Sequence, residues 1–185
     1  MNSLALSDGV LLLVTLMVVS KLTLPKSFRL TVAVFASAAL LGVLRFSGAL
    51  PLPGMHGFFS GLGASAAYPL LAVGIIWPNS RVANSWRFAS IFLVIAGALG
   101  LIATANSLTL WGNISALVSV ASVLIATALK QKWVALSGGV SLLIALLLFA
   151  MKISLPPIIQ PGDFLHIFMA IGLALIAVHY RSPAH

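Results

Sequence analysis

Six residues near the C-terminus, Pro161-Gly162-Asp163-Phe164-Leu165-His166, carry the strongest chemical signal in this sequence. Residues three apart share one helix face, so Asp163 and His166 can aim at one point. With His56 brought in from another helix they would form a two-histidine, one-carboxylate set. Such a set suits zinc or iron with positions left open for water. Zinc would bring the pKa of its water to about 7 and polarise a carbonyl, which is hydrolase chemistry. Ser60 and Tyr68 follow His56 on the same segment and are candidate catalytic neighbours, and Arg45 is a candidate for holding a substrate head group. A plainer reading stands beside this one. Asp is a favoured helix N-cap, Pro-Gly-Asp is what capping alone selects, and His166 could serve an interhelical hydrogen bond.

The elements that must position these residues are membrane helices. Of the 185 residues, 61% are hydrophobic and 6% charged, and mean hydropathy is +1.17. An average soluble domain has about 25% charged residues, so a soluble globular domain and a disordered chain are both excluded. Seven apolar stretches, 8–24, 28–50, 56–77, 85–105, 108–129, 132–151 and 162–180, approach the length needed to cross a bilayer. Prolines, Asn-Ser pairs and Lys-Gln-Lys punctuate them. Continuous apolarity without inside/outside alternation indicates helices, not barrel strands. The expectation is an all-α, single-domain, seven-transmembrane-helix bundle.

Ten Lys and Arg face two acids, Asp8 and Asp163, for a net charge of +8. Lys21, Lys26, Arg29, Arg81, Arg87, Lys130, Lys132 and Arg181 fall on one side, and only Arg45 and Lys152 on the other. The positive-inside rule then places the N-terminus out and the C-terminus in. Trp77, Trp86, Trp133 and Tyr180 mark the inner interface and Trp111 the outer one. The charge therefore serves topology, and no nucleic-acid partner is needed. The first segment lacks a basic n-region and a small-x-small cleavage site, so a retained helix is expected. Without cysteine, disulfides, iron–sulfur clusters and thiolate catalysis are excluded.

By this topology His56, Asp163, His166, Asn106, Trp111, Asn113 and Arg45 gather near the extracytoplasmic face, with His179 and His185 at the other. Asp8, at the N-terminus, leaves Asp163 as the one carboxylate placed for chemistry. Arg45 could snorkel outward, pair with Asp163 or hold a lipid phosphate. Gly57, Gly61 and Ser65 form a small-residue stripe that would admit a neighbouring helix. Pro69 should free a carbonyl near Ser65 and kink its helix, with Ser65 or Tyr68 available to satisfy it.

The run Asp163-Phe164-Leu165-His166-Ile167-Phe168, followed by Gly172 and His179-Tyr180, resembles the seventh helix of the CREST seven-helix membrane hydrolases. That superfamily includes alkaline ceramidases and the hemolysin III and adiponectin-receptor-like proteins. The resemblance implies a zinc held by one early-helix histidine and two from helix 7, and cleavage of lipid amides. It carries over to His166 and His56. It departs at Gly162, where the family has a second helix-7 histidine, and at Leu52, where a serine would precede His56.

Three functions compete. The first is a metal-dependent membrane hydrolase acting on a lipid or amphiphile, with His56, His166 and Asp163 as ligands. The second is a b-type haem protein with His56 and His166 as axial ligands. The third is a non-enzymatic lipid-binding or accessory protein with a membrane-protein partner or a homo-oligomer. A transporter is disfavoured by the lack of a midplane acid, and a retinal protein by the absence of lysine in helix 7. The expected location is integral to a bacterial inner membrane. Proximity of His56, His166 and Asp163 is the discriminating observation.

Overall fold

A computed structural model describes residues 2–20, 24–108, 110–156 and 158–180. Lys21, Pro157, Arg181 and His185 lie outside the described residues. Within them the chain is helical, with no β-strand, and forms seven rods. These are α1 (Ser3–Val19), α2 (Lys26–Phe46), α3 (Pro53–Ile76), α4 (Trp86–Ala105), α5 (Trp111–Leu129), α6 (Trp133–Ala150) and α7 (Pro161–His179). The last six are long and apolar enough to cross a membrane, and α1, at 17 residues, is shorter.

Helix boundaries follow local chemistry. Expected to begin at residue 8, α1 starts at Ser3, because the Asn2 side chain accepts the Leu4 N–H at 3.1 Å and caps the helix there. This moves Asp8 more than a turn into the helix. Ser85 caps α4 by accepting the Phe88 N–H at 3.2 Å. Trp86, Trp111 and Trp133 each open a helix and Trp77 follows the end of α3, all substantially exposed. Indoles at rod ends suit a headgroup-level belt.

Packing runs α1–α2–α3–α5–α6–α7 and back to α1, with α4 leaning on the middle of α3. Phe28, Val32, Leu71, Leu142, Leu173 and Ile176 fill the shared core. The outward faces are apolar too, and α4 buries only Ala89, Gly97, Gly100 and Ala103 while Ile91, Val94, Ile95 and Leu99 point away. Small residues inside and large ones outside is the pattern of helices that associate within lipid.

Two local features shape the interior. Pro69 cannot donate to the Ser65 carbonyl, and α3 answers with a π-helical stretch over Gly63–Ala67. The Ser65 carbonyl instead accepts from Ser115 Oγ at 3.2 Å, and the Ala67 carbonyl from Thr31 Oγ1 at 3.0 Å. Neither Ser65 nor Tyr68 caps the freed carbonyl, since the neighbouring helices supply the donors. The small-residue stripe behaves as expected at one of its three positions. Gly57 and Gly61 face open space, whereas Ser65 meets α4 closely at Gly100; a further close crossing sets backbone against backbone.

That crossing joins α6 to α7. A Cβ on Gly138 would sit 2.7 Å from the Gly172 carbonyl oxygen, and one on Gly172 would sit 2.8 Å from that of Gly138. The obstacles are backbone, so the helices must separate to admit a side chain. Gly172→Leu should cost about 1–3 kcal/mol, the usual range for overpacking. A lowered melting temperature in detergent checks this, with Gly57→Leu, facing open space, as the near-neutral comparison.

Candidate functional site

At the N-terminal ends of α1 and α7, polar side chains meet in a buried seam. Asp163 takes the third helical position of α7, where its Oδ2 accepts the Gln160 N–H at 2.8 Å. Its Oδ1 accepts the Ser7 hydroxyl at 2.7 Å. Both oxygens are engaged, the residue is buried, and it does not line the adjoining cavity. The capping role is therefore the one its geometry fills.

His166, one turn on, reaches the same serine. Its Nδ1 lies 3.1 Å from Ser7 Oγ and its Nε2 lies 3.4 Å from Asp8 Oδ1. Ser7 has a single hydroxyl hydrogen. Given to the Asp163 carboxylate, it leaves the oxygen to accept from His166 Nδ1–H. Nε2 then faces Asp8 Oδ1 across 3.4 Å, an ion pair when the imidazole is protonated and a neutral contact when it is not. In either state Asp8 Oδ2, fully buried, has no hydrogen-bond partner. The Asp8 carboxyl fits against Gly42 of α2, where any Cβ would collide with it.

Asp8 corrects the expectation that Asp163 is the one carboxylate placed for chemistry. Asp8 lines an open-mouthed cavity of about 580 Å³ bordered by α1, α2, α3, α5, α6 and α7. His56, Ser60, Tyr68 and His166 line it as well, with Asn113, Lys152 and Gln160. Leu11, Phe35, Leu146, Phe149 and Met169 supply apolar wall. Four of the residues singled out in the sequence thus converge on one space. Tyr68 is deeply buried, its ring edge-on to Phe35, and its hydroxyl also lacks a partner. Ser60 is exposed and its hydroxyl donates to the His56 carbonyl at 2.8 Å.

Arg45 does not pair with Asp163. Its Nη1 lies 3.2 Å from His56 Nδ1, and its guanidinium rests over the Phe46 ring at 5.0 Å. A guanidinium only donates, so Nδ1 accepts and His56 holds its hydrogen on Nε2. At the opposite end of the bundle, Tyr180 and Lys130 donate to the carbonyls of Ile75 and Ile76 at 3.0 and 2.6 Å. They close the C-terminus of α3. Burial pushes the Tyr180 phenol up to about 12, so it remains a neutral donor across the physiological range.

The residues of the expected metal and haem sets are engaged with protein partners in this structure. Among the described residues no three His, Cys, Asp or Glu side chains are grouped to hold an ion. Asp163 has both oxygens bonded, and both His166 nitrogens are taken up by Ser7 and Asp8. At Gly162, where the resembling family carries a histidine, a Cβ would come within 2.7 Å of the Leu4 side chain.

His166→Ala removes the partner from a buried carboxyl and should cost about 3–5 kcal/mol, as breaking buried pairs does. Adding Asp8→Asn to it should cost less than the two single changes summed. Equilibrium unfolding in mixed micelles of the four proteins measures both. Compared with protein-family models, curated proteins and solved structures, the chain finds no match.

Proposed function

We propose that the chain is a seven-span integral membrane protein, N-terminus out and C-terminus in, whose cavity binds a lipid or amphiphile near the extracytoplasmic face. The single observation that carries this is the pairing of two buried, unpartnered polar atoms with one largely apolar cavity. Asp8 Oδ2 and Tyr68 Oη each forgo a hydrogen bond, and an unsatisfied buried group costs about 1–3 kcal/mol. A bound polar group would recover that. The apolar wall suits a hydrocarbon chain, and the cavity is within the usual size of ligand sites.

Topology supports the placement. At 1.5 Å per residue α1 extends about 25 Å, short for a span but within the range of crossing helices. Its contacts with α2 and α7 along its length hold it inside the bundle. Lys26, Arg29, Arg81, Arg87, Lys130 and Lys132 share one end, consistent with the cytoplasmic side of a bacterial inner membrane.

A second reading, hydrolysis of an acyl bond, is favoured by the Asp8–His166 contact. As a carboxylate backed by imidazolium, Asp8 would take a proton from water as the water oxygen bonds to the acyl carbon. Tyr68 O–H would donate to the developing oxyanion. The proton then passes from Asp8 to the leaving group as its bond to the acyl carbon breaks. His56 and Ser60 line the same space, and this reading assigns neither a step. No step passes through a metal.

Native mass spectrometry of protein released gently from membranes tests binding. A stoichiometric amphiphile adduct is expected, lost in Leu146→Trp, which fills the cavity. Adduct retained equally in that variant contradicts the reading. If the bound molecule is also cleaved, Asp8→Asn should lower turnover at least a hundredfold while the adduct persists.

A further inference from the structure

We propose that the mouth of the cavity is a cationic cradle for the anionic head group of an amphiphile, formed by Arg45, Lys152 and His56. This rests on the proposed orientation and cavity, and it names the ligand class. The chain holds two acids, and both are buried in the α1–α7 seam. Among the described residues no carboxylate is therefore free to neutralise a cation at the rim, and neither Arg45 nor Lys152 is paired with an acid.

Their location adds to this. The charge pattern sends the other eight cations to the opposite side, so these two stand where the positive-inside rule disfavours them. Both stand at the one cavity whose interior holds unpartnered polar atoms. Lys152 lines it directly. Arg45 is anchored at it twice, over the ring of Phe46 and on Nδ1 of His56, two residues that both line it. Arg45 spends one N–H on His56 and keeps the rest of its fork for an anion. His56, with its hydrogen on Nε2, presents a further donor.

The interior complements the rim. Phe35, Leu146 and Met169 offer an apolar wall for the chain of a ligand whose charged head is held at the mouth. A single-chain amphiphile with a phosphate or carboxylate head matches the cationic rim and the apolar wall.

Binding of three probes of equal chain length to the purified full chain tests the proposal: a lysophosphatidate, palmitate and the neutral monopalmitoylglycerol. The anionic probes should bind at least tenfold more tightly than the neutral one, with affinity falling as salt rises. Arg45→Gln with Lys152→Gln should abolish that preference and leave the neutral probe unchanged. Preference for lysophosphatidate alone, or for palmitate alone, supports the cradle and assigns its anion. Equal binding of all three by the wild type overturns the charge inference while sparing the amphiphile reading. Failure of all three to bind overturns both. The wild-type comparison decides the matter even if the double variant fails to fold.

Discussion

A carboxyl group inside an apolar bundle must find partners, and the arrangement of this molecule turns on how its two do so. Asp163 is satisfied by one backbone N–H and one hydroxyl, Asp8 by a single imidazole. All but the Gln160 N–H cross the seam between α1 and α7, the helices farthest apart in sequence. Ser7 is the stitch, giving its hydrogen to Asp163 and accepting from His166. Separating α1 from α7 would leave Asp8 without its imidazole, His166 without either partner and Asp163 with the Gln160 N–H alone, so the seam holds the ring of helices closed. Because the apolar faces of these helices are as content in lipid as against each other, hydrogen bonds and close packing carry more of the specificity here than hydrophobic burial does.

Close packing is supplied by absences of side chain. Gly42 leaves room for the Asp8 carboxyl, Gly138 and Gly172 let two backbones touch, and Gly162 admits Leu4 beside the first turn of α7. The π turn in α3 has a related origin, since Pro69 removes a donor and Ser115 and Thr31 replace it from two other helices. Tyr68 immediately follows that turn and lines the cavity with its hydroxyl unpaired.

Much of the fold was legible in the sequence because hydropathy and turn residues are local signals. Each apolar stretch corresponds to a rod, and Pro-Gly-Asp opens α7 with a capping carboxylate. His56, His166, Ser60 and Tyr68 were recognisable as polar residues in apolar helices, and all four line one cavity. Asp8 was not, for two physical reasons. Capping by Asn2 starts α1 five residues before the apolar stretch suggests, and the partners of Ser7 and Asp8 lie over 150 residues away in a register no local pattern encodes. With α1 begun at Ser3, Ser7 and Asp8 share a buried face with Leu11 and Thr15, a spacing that would have exposed them. Arg45 and His56 pair across the short connection between α2 and α3, a geometry that depends on how that turn folds.

The central claim is that Asp8 and His166 pair inside the bundle while Ser7 holds the other ring nitrogen. Nitrogen-15 NMR of selectively labelled histidine, assigned by loss of the signal in a His166 variant, reads this directly. The account predicts a protonated Nδ1 in the wild type and an Nε2 resonance that moves strongly in Asp8→Asn, with Ser7→Ala shifting Nδ1 instead. An Nε2 resonance indifferent to Asp8→Asn in a folded protein would contradict it.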